Sequence, residues 1–501
     1  MPRLLSSLAV LGVLTPAFLG AGVYTAPVAK PHPVAPTVSQ VSLAPLAVAG
    51  AVGPALRRTS HGLAPRTTKS FSTVGVTWRD DPRVTDPVVS VRWRKGASWS
   101  PWTVVPGDRD DVPDAGSVDT TGDFRVGTSP LWVGPSNGVE AKVETSGGVR
   151  PQDLRVELVD PGTSAADARP TPRDVAQAIE TQPAILTRAE WGADESIRRG
   201  SPSYGKTVKA GFVHHTVNAN SYTAAEVPAL LRSIYAYHVK SNGWSDIGYN
   251  YLVDRFGRVW EGRYGGITKV VTGAHTGGFN ADTFGASLLG TYSTVAPSAA
   301  TLDALEQLFA WKLGYHYRDP LAKVTLRSAG GGTSKYAAGT FHSFDVVSGH
   351  RDAGSTTCPG DATYARMPEI RRAISSKLGP GFLDPVASSS SALVGSTTPI
   401  TLTAKTVRPA TWTVDIVTST GNVLRTFPGD SPDRVDVSWD LKDASGTTVP
   451  PGQYTLRLTG VGADGEEALP FLAPLRYRVP SIPKGTWLRP GGYRNRFAPS
   501  G

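Results

Sequence analysis

Apolar positions along this chain follow two different periods. Between residues 67 and 160 they recur at every second position. Val74, Val76 and Trp78 alternate with Thr73, Gly75 and Thr77, and Val89, Val91 and Trp93 alternate with Ser90, Arg92 and Arg94. Successive side chains of a strand point to opposite faces, and Gly, Pro and Asp turns interrupt the run at short intervals. The region therefore predicts an antiparallel, sandwich-like β domain. The same period returns between 398 and 480, where Trp412, Val414 and Ile416 share one face, as do Tyr454, Leu456 and Leu458. This predicts a second β domain.

Residues 185–380 behave differently, with strand and helix patterns in alternation. Lys209–Val217 reads as a strand. A capping box at Thr223-Ala-Ala-Glu226 opens a helix whose stripe holds Val227, Leu230, Leu231, Ile234, Tyr237 and His238. Pro228 in its first turn moves the expected start later, and Asn242-Gly243 stops it. Strands at Ile247–Asp254 and Val259–Arg263 flank a Gly257 turn and predict a hairpin. An apolar run at Gly285–Gly290, a helix over Ala299–Tyr315 and a last helix over Met367–Leu378 complete the set. The sum is an α/β domain, a mixed central sheet with helices packed on it.

The remaining segments lack either period. Residues 27–66, rich in Pro, Ala, Val and Ser, read as an extended linker. Residues 161–184 read as a second linker with a short helical piece near Asp174–Ile179, and 381–397 as a Ser-rich joint. The basic tail 481–501 predicts poor order. At the other end, Arg3 precedes a mostly apolar run to about residue 22, followed by small residues and Pro. Residues 1–26 read as a secretory signal peptide, with a retained anchor as the alternative. No other stretch is long and apolar enough to span a bilayer.

Composition adds a charge argument. Lys and Arg number 51 against 42 Asp and Glu, a formal charge of +9. With no RNA- or DNA-binding motif, and with an export signal, this favours an anionic cell envelope over nucleic acid as the partner. The expected location is secreted, at the cell wall.

Candidate chemistry gathers in the α/β region, which holds His214, His215, His238, His275, His316, His342 and His350 and the lone cysteine, Cys358. A single Cys makes no internal disulfide. Two imidazoles, one from His350 and one from the His214-His215 pair, with the Cys358 thiolate would make three ligands for a tetrahedral Zn²⁺. The fourth position then stays free for water, as in catalytic sites. Strand alternation admits only one of His214 and His215 to the metal and does not choose between them. His238 lies on an apolar helical stripe and reads as a packed histidine. His316 and His342 read as incidental, and Trp244 and Trp260 as core. Trp99 and Trp102 read as packed core or sheet-edge aromatics in preference to a sugar-stacking platform.

The motifs Val213-His214-His-Thr, Gly243-Trp-Ser-Asp-Ile-Gly-Tyr-Asn-Tyr251, Gly257-Arg-Val-Trp-Glu-Gly-Arg263, Gly273-Ala-His-Thr276, Gly349-His-Arg-Asp352 and Thr357-Cys-Pro-Gly-Asp361 occur in this order. On these residues the region 185–378 resembles the peptidoglycan recognition protein / type 2 N-acetylmuramoyl-L-alanine amidase family. The whole chain resembles secreted actinobacterial members with accessory β modules. Val437–Gly446 with Val449–Thr455 resembles the immunoglobulin-like module first described in flagellar hook-capping proteins. The family resemblance implies zinc held by His214, His350 and Cys358, with His215 turned away and Tyr249 as the site tyrosine. Phage members carry a lysine two residues before the cysteine. Here Thr356 stands there, which leaves the proton donor to the leaving amine unassigned. The implied activity is zinc-assisted hydrolysis of the amide between the muramic acid lactyl group and L-Ala of peptidoglycan. His275, Asn280 and Arg263 are groove candidates for substrate binding, Arg263 being equally well a structural ion-pair residue. The alternative is a non-catalytic peptidoglycan-binding protein. Members of that kind typically lack a metal ligand, often with Ser at the cysteine position, and this chain keeps all three.

Overall fold

The computed structural model describes residues 30–46, 59–84, 87–108, 113–146, 149–168, 182–332, 334–408 and 410–480. The readings of residues 1–26, of a helix near 174–179 and of the tail 481–501 fall outside them. Among the described residues no helix is long and apolar enough to cross a membrane.

The first β domain begins earlier than its apolar period. Strand Thr37–Ser42 pairs antiparallel with Arg155–Asp160, which pairs with the long strand Thr59–Arg79. Leu131–Thr145 and Val88–Lys95 extend the same ten-stranded sheet. Within the 27–66 segment read as a linker, residues 37–42, 44–45 and 59–66 are instead strands. Ladder hydrogen bonds hold the 37–42 strand at the sheet edge, and its two valines, Val38 and Val41, are half-buried on opposite faces, so no apolar alternation appears. The alternation of Val74, Val76 and Trp78 points into a core with Val89, Val91, Val139 and Val156. Ser98–Trp99 forms an edge strand, and the Arg92 guanidinium lies 5.1 Å from the rings of both Trp99 and Trp102. These two tryptophans are edge aromatics.

The α/β domain has the sheet order Ile185–Leu186, Val259–Glu261, Tyr251–Val253, Thr283–Leu288, Ala210–His215, Val347–Gly349. All pairings are parallel except the Tyr251–Val253/Val259–Glu261 hairpin. Helices Ala299–Tyr315 and Met367–Ser376 pack on one face through Val213, Val253, Leu305, Phe309 and Ile370. Helix Val227–Ala236 covers the other through Leu230, Leu231 and Ile234 against Leu252 and Trp260. Pro228 sits inside the first turn of that helix, where its missing N–H costs nothing. The expected strand at 247–254 is only Tyr251–Val253.

The third domain is two facing sheets around Leu402, Val414, Ile416, Trp439, Leu456 and Leu458. It too starts before its apolar period. Gly381–Ala387 pairs with Ile400–Val407 across a bulge, and Ser391–Leu393 pairs with Phe471–Arg478. The joint at 381–397 is therefore part of this domain.

The first two domains are packed together without a spacer. Both faces of the 71–78 strand are buried, with Tyr237 of the α/β domain packed against Gly75. The Tyr237 hydroxyl donates to the Thr128 carbonyl at 2.9 Å. Trp132 enters the apolar cluster of Trp191, Leu230 and Tyr249, a burial that stabilises by about 1.5–3 kcal/mol for a side chain of this kind. Arg232, fully buried, donates to Asp167 at 2.7 and 2.9 Å and to the carbonyls of Pro161 and Trp191. The start of the 161–184 segment is thereby an anchored strap.

Two expectations follow. A Cβ at residue 75 would stand 2.3 Å from the Tyr237 hydroxyl, so Gly75→Val should cost about 1–3 kcal/mol; an unchanged melting temperature would mean that the two domains are not packed this way. Burial, aided by the charges of Lys312 and Arg318, pushes the His316 imidazole down to about 4. The unfolded chain binds that proton at its ordinary pKa of about 6.5. The His316 contribution to stability should fall as pH drops from about 6.5 to about 4 and be constant above that window. His316→Gln should flatten this slope in thermal melts taken from pH 7 to 4.5.

Candidate metal centre and its groove

His214 lies near the C-terminal end of the Ala210–His215 strand, in register with Ser287, which is in register with Leu252 and, through it, Trp260. This row faces the Val227–Ala236 helix. His214 is therefore on the face opposite the 299–315 helix, and the small Ser287 leaves room beside its ring. The next strand in the sheet, Val347–Gly349, runs parallel and delivers His350 as the first residue of the short helix His350–Ala353. The rings of His214 and His350 lie 4.6 Å apart.

Cys358 arrives on the loop that follows. Its backbone N donates to Thr356 Oγ1 at 3.0 Å, and its carbonyl accepts from Arg351 N at 3.0 Å. Gly360 holds the loop end at φ 89°, with the Tyr292 carbonyl oxygen 2.3 Å from where a Cβ would be. Only glycine fits there. The Cys358 Sγ accepts from the backbone N of His215 at 3.4 Å and lies 3.8 Å from His214 Nδ1.

The donor atoms of His214, His350 and Cys358 all lie within 4.8 Å of one another. Tetrahedral zinc, with bonds of about 2.0–2.1 Å to nitrogen and 2.3 Å to sulfur, spaces its ligand atoms about 3.3–3.8 Å apart. The 3.8 Å sulfur–nitrogen separation fits that span, and two imidazoles with one thiolate form a zinc-type donor set. Strand alternation left the choice between His214 and His215 open, and the fold decides it. The His215 imidazole accepts from the Tyr292 backbone N at 3.2 Å, turned away from the other two donors.

The remaining site candidates separate into three places. Tyr249 is beside the cluster, its ring 5.5 Å from that of His214, and Thr356 is at its rim, half-buried. His275 is behind the cluster. Its Nδ1 lies 3.2 Å from His214 Nε2 and 2.9 Å from Thr276 Oγ1, and it is fully buried. The expectation that His275 lines the groove is corrected: the ring fills the space over Gly285, where a Cβ would stand 2.4 Å from it. Asn280 is also fully buried, accepting at Oδ1 from the backbone N of His275 and Thr276 at 2.7 and 2.9 Å. It shapes the His275 loop. Arg263 donates to Asp119 at 2.5 Å and to Ser245 Oγ at 2.9 Å, the ion-pair alternative.

His238 is the packed histidine the sequence predicts. It sits in a π-helical turn, Tyr237–Ser241, and its Nδ1 accepts from Gly248 N at 3.1 Å, one residue before Tyr249. Residues that sequence reasoning passed over are Thr276, behind His214, and the buried pair Arg188–Asp246 at 3.1 Å beneath the groove. Burial pushes the Asp246 carboxyl up, against the pull of the Arg188 and Arg263 charges. Asp114 and Asp119, from the first β domain, were also missed. No local signal marks them, because their partners are more than a hundred residues away in the chain.

Comparison with known proteins matches each domain. Residues 204–361 match the family model described as N-acetylmuramoyl-L-alanine amidase. Residues 27–178 match the Rv3811 N-terminal galactose-binding domain-like family and 388–464 the FlgD Ig-like domain. Peptidoglycan-recognition protein SC2 of Drosophila simulans is 31% identical over 176 residues, 35% of this chain and 80% of that protein. The N-acetylmuramoyl-L-alanine amidase of Sus scrofa is 37% identical over 186 residues, 36% of this chain and 26% of that protein. Among solved structures, wild-type Drosophila PGRP-LB is 26% identical, with 36% of this chain and 91% of that chain covered and a TM-score of 0.29. With the sequence motifs in order and a recognition-protein relative covered over most of its length, the chain belongs to the peptidoglycan recognition protein / N-acetylmuramoyl-L-alanine amidase family.

Proposed function

We propose that this protein is a secreted, zinc-dependent N-acetylmuramoyl-L-alanine amidase that cleaves the bond between the muramic acid lactyl group and L-Ala. The observation that carries the reading is the convergence of His214, His350 and Cys358, three ligands with no fourth protein donor among the described residues. Structural zinc takes four protein ligands, whereas a hydrolytic site keeps one position open. Zinc bound there would supply Lewis acidity and water activated near neutral pH.

The protein's own groups do the rest. For His214 to offer Nδ1 toward the Cys358 sulfur, its proton must sit on Nε2, where His275 Nδ1 at 3.2 Å and Thr276 Oγ1 at 3.3 Å are placed to accept it. His275 and Thr276 are thus positioning residues that set the tautomer and ring angle of a ligand. The backbone N of His215 steadies the Cys358 sulfur with a hydrogen bond. The Tyr249 hydroxyl is the side-chain donor we assign to the amide oxygen as it gains charge. Hydrolysis places the hydroxyl of water on the lactyl carbonyl carbon and a proton on the departing nitrogen of L-Ala. Thr356, whose oxygen accepts from Cys358 N, can turn its own O–H toward that nitrogen. The charge of +9 favours approach to an anionic wall.

Cys358→Ala should abolish both zinc retention, measured by metal analysis, and release of stem peptide from muropeptides, read by mass spectrometry. Retained zinc with full turnover would sink the metal assignment. Tyr249→Phe should keep the metal and lower turnover at least tenfold; unchanged turnover would remove Tyr249 from the reaction. His275→Ala should weaken zinc binding about 10–100-fold, the range typical of residues behind a metal ligand, as read by chelator competition.

A further inference from the structure

The proposed chemistry needs part of a polymer to reach the cluster, yet the cluster is shut. His214 and His350 are 0% exposed, Tyr249 4% and Cys358 6%. The cavity that touches Cys358 has a volume of about 110 Å³ and is bounded on one side by Pro106, Gly107 and Ser129 of the first β domain. Pockets that take a ligand of even modest size run from about 300 Å³ upward.

The same domain also reaches Asn280 and Arg263, two of the groove candidates. Its segment Pro113–Asp123 carries Asp114, Asp119 and Asp123. Asp114 accepts from Asn280 Nδ2 and from Gly278 N, both at 2.8 Å. Asp119 accepts from Ser245 N at 2.8 Å, and from Ser245 Oγ and Arg263 Nη2 at 2.5 Å. Asp119, Ser245 and Arg263 are all buried. The segment then passes against Gly243, where the Asp123 carbonyl oxygen stands 2.4 Å from a would-be Cβ, and Arg125 N donates to the Asn242 carbonyl at 3.0 Å. Asn280 and Arg263 are two of the three groove candidates of the sequence, and carboxylates from another domain engage both.

On the amidase reading above, we propose that Pro113–Asp123 is a built-in occupant of the groove, holding the enzyme in a closed, latent form until the segment is displaced. Among the described residues, the space this interface leaves beside Cys358 is the cavity of about 110 Å³. Latency of this kind reduces apparent affinity by the fraction of molecules that are open. Removing the two carboxylates raises that fraction, while leaving every residue of the cluster in place.

The test uses the full chain, as wild type, Asp114→Ala, Asp119→Ala and the double variant, each checked for a cooperative thermal transition. Cys358 is the lone cysteine, so its labelling rate by a maleimide in metal-stripped protein reports opening independently of activity. The zinc-loaded proteins are assayed in parallel for stem-peptide release from soluble muropeptides. We expect labelling and turnover at least tenfold faster in the double variant, with the single variants between. Should Asp119→Ala not fold, because Arg263 is left buried and uncompensated, Asp114→Ala carries the test on a separate contact. Labelling within twofold of wild type in folded variants overturns the closure, and wild-type turnover as fast as theirs would then leave the amidase reading standing. Faster labelling with no turnover in any form supports the closure and removes the amidase reading.

Discussion

The cluster of His214, His350 and Cys358 depends on one parallel pairing, between Ala210–His215 and Val347–Gly349. Parallel neighbours carry their C-terminal ends to the same edge of the sheet, and loops leave from there. His214 near the end of one strand and His350 just past the end of the other are brought together by that rule alone. Cys358, 144 residues from His214, then needs only the short turn after the His350 helix. The helices Ala299–Tyr315 and Met367–Ser376, packed on the opposite face, hold this sheet and leave the His214 face to the site.

His214 is supported by polar neighbours from the 275–280 loop. His275, Thr276 and Asn280 form a buried relay behind His214, in which Asn280 fixes the loop backbone and the loop presents His275 to the ligand. Glycines make the relay possible: Gly285 vacates the volume the His275 ring takes. Such a polar cluster is costly to bury unless every member is paired, and here the pairing runs from the Asn280 amide to the Asp114 carboxylate of another domain. The first β domain packs on this region through Trp132 in the apolar core, Gly75 against Tyr237, and two carboxylates on Arg263 and Asn280. The third domain meets the α/β domain through Leu383 in its core, Tyr317 against Phe471 and the Pro470 carbonyl, and the Lys405–Asp319 ion pair.

Sequence periodicity located what is periodic. The Ala299–Tyr315 helix, the 210–215 strand, the hairpin around Gly257 and the alternating strands of both β domains are all present. It missed elements whose stability lies elsewhere. Thr37–Ser42 is a polar edge strand held by main-chain hydrogen bonds, and Gly381–Ala387 is bulged with Phe382 and Leu383 both buried. Neither writes a period of two into its side chains. Tyr249 was read as part of a strand. It lies instead in an irregular turn that Gly248 and Gly262 allow to pass close to the backbones of Ala274 and Tyr249 itself.

By itself, then, the sequence determined the set of groups available for chemistry: one thiol, the histidines in their motifs, Tyr249, and three domains in order. Those follow from residue identity and local spacing, which the chain carries wherever it folds. Strand period left His214 and His215 equal, and only the tertiary structure turned His215 to the Tyr292 backbone, put His275 behind His214, and engaged Asn280 and Arg263 with Asp114 and Asp119. Each of these is set by which face of a strand meets another domain. That is a long-range packing choice, made where buried carboxylates find their donors, and no local pattern encodes it.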